Sequence, residues 1–208
     1  MEKRKLDKSE DTLYIAPVDT QEDIRTISLY GDVDEKTCGD LVAALSYLQD
    51  NATVFRLEDP QDENSKILKE TRPIKMIIST PGGSAAEMFS AYDMMRYVKE
   101  TCDIETFGLG KVMSAGVLLL AAGTKGKRKI GANCRVMIHS VMGGYHGSLS
   151  NMENEIIEVR WIQERYIKCI TKETNLSEKQ VRKMFKKHVD TYLSAEQAVE
   201  FGIADEIV

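Results

Sequence analysis

Ile74-Lys75-Met76-Ile77-Ile78-Ser79-Thr80-Pro81-Gly82-Gly83-Ser84-Ala85-Ala86-Glu87 is the stretch on which the fold turns. Residues Ile74 to Ser79 form a short apolar run rich in β-branched side chains, which predicts a buried strand. Pro81-Gly82-Gly83 then reads as a turn. Ser84, with a glutamate three residues later at Glu87, is a capping box that opens a helix running to about Lys99. Strand, turn and helix in this order make one unit of an α/β fold with a largely parallel sheet.

The same unit repeats downstream. Ile104 to Phe107 predicts a strand, Gly108 to Gly110 a loop, and Ser114 to Ala122 an apolar helix ending at Gly123. Arg135 to Ile138 is a further strand. A glycine-rich segment, Gly143 to Gly147, precedes a long helix that starts at Ser150, with a capping glutamate at Glu153, and reaches about Thr174. Ser177 and Ser194 each have a glutamine three residues later and mark two more helix starts. Gly202 closes the last helix, and Ile203 to Val208 predicts a short strand. Upstream, Arg25 to Tyr30 predicts a strand ending at Gly31. A helix follows from Glu35 to Leu48, with Leu41, Leu45 and Leu48 on one face. Residues 51 to 73 are polar and predict a surface insertion, a hairpin with a short strand at Val54 to Leu57. Residues 1–22 predict a polar segment that stays mobile until it meets a partner. Residues 23–208 predict a single domain, for no internal linker divides the chain.

The 208 residues suffice for one core, and 42% hydrophobic with 29% charged residues is ordinary for a soluble globular domain. A net charge of −5 argues against a nucleic-acid surface. The basic stretches Lys125 to Lys129 and Lys179 to Lys187 read as solvated faces or turns. Cys38, Cys102, Cys134 and Cys169 lie more than thirty residues apart, so neither a zinc site nor a redox pair is expected. They read as small buried apolar residues of a reducing, cytoplasmic environment. Neither an apolar leader nor a membrane-length run is present in the sequence, and no metal or cofactor is expected.

Three residues carry candidate chemistry. Ser114 stands where a loop meets an apolar helix, facing unpaired backbone N–H groups and a partial positive charge, which suits acyl transfer. Most serines at helix starts, however, are simple caps. His139 ends an apolar strand, where catalytic groups of α/β sheets gather, although a half-buried structural histidine fits equally. His146 and His188 read as surface residues. Asp190 precedes the Ser194 cap and, by itself, is one loop carboxylate among many. Gly82-Gly83 lets backbone approach a ligand closely, and as a turn it is otherwise ordinary.

Thr80-Pro81-Gly82-Gly83-Ser84, Met113-Ser114-Ala115-Gly116 through Gly123, and Lys125-Gly126-Lys127-Arg128 occur in order with three further runs. These are Arg135-Val136-Met137-Ile138-His139, Gly143-Gly144-Tyr145 with Gly147, and Asp190 through Ala198. Together they resemble the Clp protease proteolytic subunit family from about Arg25 onward. The resemblance implies a ClpP/crotonase-type α/β fold with a protruding handle helix over about 143–174. It implies Ser114 as nucleophile, His139 as general base and Asp190 as the acid orienting it. Gly83 and Ala115 match the oxyanion-hole backbone donors, and Gly82, Gly143 and Gly144 match substrate-binding positions. Gly143 to Gly147 is expected to be the handle strand beside bound peptide. The implied activity is a serine endopeptidase acting on peptides or unfolded polypeptides in a chamber of stacked rings, with an AAA+ unfoldase as partner.

Several positions depart from the family pattern. Ala115 replaces a methionine, Lys75 replaces an aromatic of the ATPase-docking pocket while Tyr97 keeps another, and His188-Val189 replaces an acidic-arginine pair. The 51–73 insertion is longer than the family norm, and residues before Arg25 do not resemble the family's axial segment. A specialised or phage-borne member, a non-catalytic ring subunit, and a crotonase-like acyl-CoA enzyme are the competing readings.

Overall fold

The computed structural model describes residues 24–62, 64–144, 146–186 and 189–208. The predicted mobile segment at 1–22 and the family's axial segment lie outside the described residues, as do Tyr145 and His188.

Strand β1 (Thr26–Val33) leads through the cap Asp34 into α1 (Glu35–Asp50), which buries Cys38, Leu41, Leu45 and Leu48. The 51–73 insertion is a hairpin, as expected: β2 (Thr53–Leu57) pairs antiparallel with β3 (Ile67–Thr71) in a sheet of its own. Then β4 (Ile74–Gly83) feeds α2 (Ala85–Val98), and β5 (Ile104–Met113) feeds α3 (Ala115–Ala121). β6 (Arg128–Ile130) and β7 (Arg135–Ile138) precede the long helix α4 (Leu149–Glu173). The chain ends with α5 (Glu178–Phe185), β8 (Thr191–Leu193), α6 (Ala195–Glu200) and β9 (Glu206–Ile207).

The main sheet runs β1-β4-β5-β6-β9, all parallel. β5 is long enough to serve two neighbours. Its residues 106–108 pair with β6, and its residues 111–113 pair with β7, parallel in both cases. β8 then adds antiparallel to β7. All seven residues of α3 are buried, and they pack against β4, β5, α2 and α4. This fully apolar helix is the centre of the core and the support of Ser114.

The structure corrects several sequence expectations. Pro81-Gly82-Gly83 is not a turn but the end of β4, and Gly108 to Gly110 is not a loop but the middle of β5. Gly108 is there because a side chain would meet Val112 and Leu120 at 3.0 and 3.1 Å. A strand glycine marks close approach rather than a break in such a place. α4 is capped by Ser148, which accepts from Asn151 N, rather than by Ser150. Both capping boxes, at Ser177 with Gln180 and at Ser194 with Gln197, form as expected.

Lys125 to Lys129 holds the expected exposed turn, but Arg128 within it is the exception. It is 4% exposed and grips Asp205 with two guanidinium nitrogens, Nε at 2.8 Å and Nη2 at 2.5 Å. Nη1 donates to the carbonyls of Glu173 at 2.7 Å and Ala121 at 3.2 Å. One buried cation therefore ties β6, α3, α4 and the segment before β9. Burial raises the Asp205 carboxyl, but the Arg128 hydrogen bonds and charge outweigh it and hold the group below the usual carboxylate range.

Three cysteines are buried as expected, while Cys169 is only half-buried; all four are free thiols. Burial pushes Cys38 and Cys134 up to about 11. No helix among the described residues is long and apolar enough to cross a membrane.

Candidate active site

Ser114 is the single residue between β5 and α3. Its backbone, φ 54° and ψ −119°, makes it the one non-glycine residue with positive φ among the described residues. Such a conformation costs on the order of 1–3 kcal/mol and persists only where its surroundings enforce it. Here the surroundings are explicit. Ser114 N donates to Met137 O of β7 at 2.8 Å, and the next seven residues are locked in the buried α3. The hydroxyl makes no cap hydrogen bond, so the simple reading of Ser114 as a helix cap fails. The geometry is a sharp strand-to-helix elbow that presents a free hydroxyl.

His139 directly follows β7, and β7 is the parallel neighbour of the end of β5. Ser114 and His139 therefore sit at the carboxyl ends of adjacent strands, where α/β sheets gather their chemistry. Asp190 directly precedes β8, whose antiparallel register sets Ile138 across from Thr191. Continued by one step, that register faces His139 with Asp190. Ser114 and His139 line one cleft of about 380 Å³ together with Gly83 and Ala115. Asp190 is exposed and outside that lining. Among the described residues no hydrogen bond or ion pair joins Ser114 to His139 or His139 to Asp190.

The candidate backbone donors are well situated. Ala115 is the first residue of α3, so its N–H has no intrahelical acceptor. Ser84 N donates to Val33 O of β1 at 2.8 Å, and by strand alternation the preceding Gly83 N–H is directed away from β1. Gly82 lies directly against the nucleophile candidate: a Cβ there would stand 2.5 Å from Ser114 Cβ and 3.0 Å from its Oγ. Gly143 and Gly144 do not reach this cleft. They line a separate groove with Met152, Ile156 and Val159 of α4. The described residues from 139 to 147 carry no strand, contrary to the expected handle strand, and Gly143 lies close against Val159 of α4.

Beside Ser84 and Ser140 the cleft has apolar walls that were not singled out from sequence. Met88 of α2, Met137 of β7, Met142, and Ile162 and Tyr166 of α4 form its walls. The spacing of Ile162 and Tyr166 along one helix face was the available signal. Tyr166 is buried, which pushes its hydroxyl pKa up and keeps it a neutral donor, and it reaches Ser114 O at 3.4 Å. No group of side chains suited to hold a metal ion occurs among the described residues.

The family model for Clp protease matches residues 65–208. Over 184 residues the chain is 34% identical to the ATP-dependent Clp protease proteolytic subunit 2 of Corynebacterium jeikeium (strain K411), covering 88% of this chain and 78% of that one. A match over most of the chain, on a parallel α/β sheet with a serine elbow at its centre, means that the chain belongs to the Clp protease family of serine peptidases.

Proposed function

We propose that the protein is an endopeptidase that cleaves peptides or unfolded polypeptides through a Ser114 acyl-enzyme, with His139 as general base and Asp190 orienting it. The observation that carries this reading is the strained Ser114 elbow, whose free hydroxyl shares a cleft with His139. His139 accepts the Ser114 proton as Oγ attacks the peptide carbonyl, then returns it to the leaving amine; water releases the acyl group by the same route. The Gly83 and Ala115 N–H groups take the developing oxyanion. A single donor of this kind is worth about 3–4 kcal/mol of transition-state stabilisation. The walls of Met88, Met137, Ile162 and Tyr166 suit an apolar substrate side chain.

The same reading includes assembly into rings that enclose a chamber. The first half of α4 supports it: Leu149, Ile156, Ile157 and Trp161 are all more than half exposed, an apolar surface that a lone subunit has no reason to keep. Contacts between subunits would then bring Asp190 onto His139. An AAA+ unfoldase partner and a cytoplasmic setting complete the reading. A fluorophosphonate probe tests the chemistry: it should label the native protein and fail on Ser114→Ala. Undiminished labelling of Ser114→Ala would remove Ser114 from the mechanism.

A further inference from the structure

A second cleft, of about 260 Å³, lies between α2 and α4 and shares no lining residue with the Ser114 cleft. Four cations face it, Arg96 of α2 and Arg165, Lys168 and Lys172 of α4, against the single carboxylate of Asp93. Trp161, 56% exposed, forms an apolar wall. Several cations elsewhere are paired, Lys99 with Glu173, Lys127 with Asp103, Lys129 with Glu206 and Arg182 with Glu164. None of the four cleft cations has an ion pair or hydrogen bond among the described residues, and Arg96 rests over the Tyr92 ring at 5.7 Å. Arg165, Lys168 and Lys172 are helix-face neighbours, and like charges at such spacing destabilise a helix. A chain of net charge −5 that concentrates positive charge in one cleft is built for an anionic occupant there.

The matching anion is carried by the same chain. The tip of the β2–β3 hairpin, Glu58-Asp59-Pro60-Gln61-Asp62-Glu63-Asn64, contains four acidic residues and no basic one. Glu58, Asp59 and Asp62 are exposed. β2 and β3 make their extended contact only with each other, and Phe55 and Leu68 are each 40% exposed. A lone two-stranded hairpin is marginal in water and needs something to hold it. Among the described residues no tip carboxylate pairs with a cleft cation within one chain.

We propose that the α2–α4 cleft of one subunit receives the acidic hairpin tip of another copy, a latch between neighbouring subunits. It rests on the self-association in the functional reading above and gives the unusual 51–73 insertion a role. Arg96 and Arg165 present planar forks to carboxylates, the strongest geometry for such pairing. Trp161 offers its face to the apolar part of the loop around Pro60.

Charge reversal tests the latch. Arg165→Glu with Lys168→Glu takes the cleft from a net +3 to −1, and Glu58→Lys with Asp59→Lys and Asp62→Lys takes the tip from −4 to +2. All five positions are exposed, and because Asp59 and Asp62 also accept from Gln61 N and Asn64 N within the tip, circular dichroism checks the fold and recovery in the combined variant separates charge from a disturbed tip. In sedimentation velocity at low salt, either set of changes should weaken association about tenfold or more, while the combined variant recovers it, because opposite charges again face each other. Wild-type association should also weaken between about 0.05 M and about 0.5 M salt. Fluorophosphonate labelling, read alongside, follows Ser114 separately. An oligomer indifferent to tip reversal overturns the latch and leaves the ring and the catalytic reading intact. Pyrophosphate binding to the cleft with no effect of tip reversal on mass also overturns it, in favour of a small-anion site. A wild-type protein that sediments as a monomer at both salts rejects the latch together with the chamber.

Discussion

A methyl group placed on Gly82 probes the elbow by crowding Ser114 while leaving every candidate catalytic side chain in the sequence. Gly82 has φ 103°, and its added Cβ would lie 2.5 Å from Ser114 Cβ. Non-bonded carbons settle at about 3.5–4.0 Å, so one of the two must move by about 1 Å. Met113 O at 3.0 Å and Ser114 Oγ at 3.0 Å close the other directions. Two costs follow. The backbone strain of a non-glycine residue at this φ is about 1–2 kcal/mol, which lowers Tm by about 2–8 °C in a chain of this size. The displacement of Ser114 is a separate kinetic cost, for a misplacement of about 1 Å can lose about 100-fold in rate. Gly31 separates the two. It has φ 94°, but nothing lies within 4 Å of its added Cβ. Gly31→Ala should therefore show the fall in Tm with the labelling rate unchanged, while Gly82→Ala should show both. The assay is the second-order rate of fluorophosphonate labelling beside a thermal melt. A Gly82→Ala protein that labels at the wild-type rate would refute the placement of Ser114 against the glycine strand.

Three other outcomes are expected. Glu173, 5% exposed, accepts from the Tyr92 hydroxyl at 2.8 Å and lies 3.9 Å from Lys99. Glu173→Ala should cost about 3 kcal/mol and Glu173→Gln about half that, read as a shift of the urea midpoint at constant slope. Asp205 has its folded pKa held below the unfolded value of 3.8, so its contribution is complete above that value and is lost as pH falls through the folded pKa. Asp205→Asn should be less stable at neutral pH and should lose less further stability on acidification below about pH 4; equal acid sensitivity of the two proteins would contradict the pairing. Burial keeps Cys38 and Cys134 protonated, with Cys169 half-buried, so a thiol reagent at mildly alkaline pH should find Cys169 first and all four cysteines only after unfolding. Rapid titration of all four in the native protein would contradict the core.

The sequence made the strand–helix alternation legible because apolar runs and serine caps are local signals. Ser177 and Ser194 announced their helices correctly for this reason. Glycine was the main source of error. Gly82, Gly83 and Gly108 resemble breakers in one dimension, but each sits within a strand because another segment comes too close for a side chain, one distant in sequence for Gly82 and Gly83. β8 has only three residues and owes its existence to β7, so no local pattern could mark it. The site was legible through family resemblance rather than local chemistry. Spacing could not relate Asp190 to His139; the β7–β8 pairing sets their neighbours Ile138 and Thr191 opposite each other. The elbow conformation of Ser114 depends on the Met137 carbonyl and on the burial of α3, neither of which residue-by-residue reading contains. Arg128 shows the same limit from the other side: its charge predicted solvent, and a carboxylate seventy-seven positions later reversed the outcome.

That long interval between Arg128 and Asp205 has a consequence for how the protein is made. Synthesis runs from the N-terminus, and segments fold as they emerge. Arg128, β6 and α3 leave the ribosome well before residue 205 does, so the guanidinium must wait in water and β6 must wait for its outer neighbour β9. The β6–β9 edge of the sheet therefore closes late, and until then β6 is an open strand beside an unmet charge. A nascent chain stalled before Asp205 should carry every strand that positions Ser114 and still be unable to seal its core.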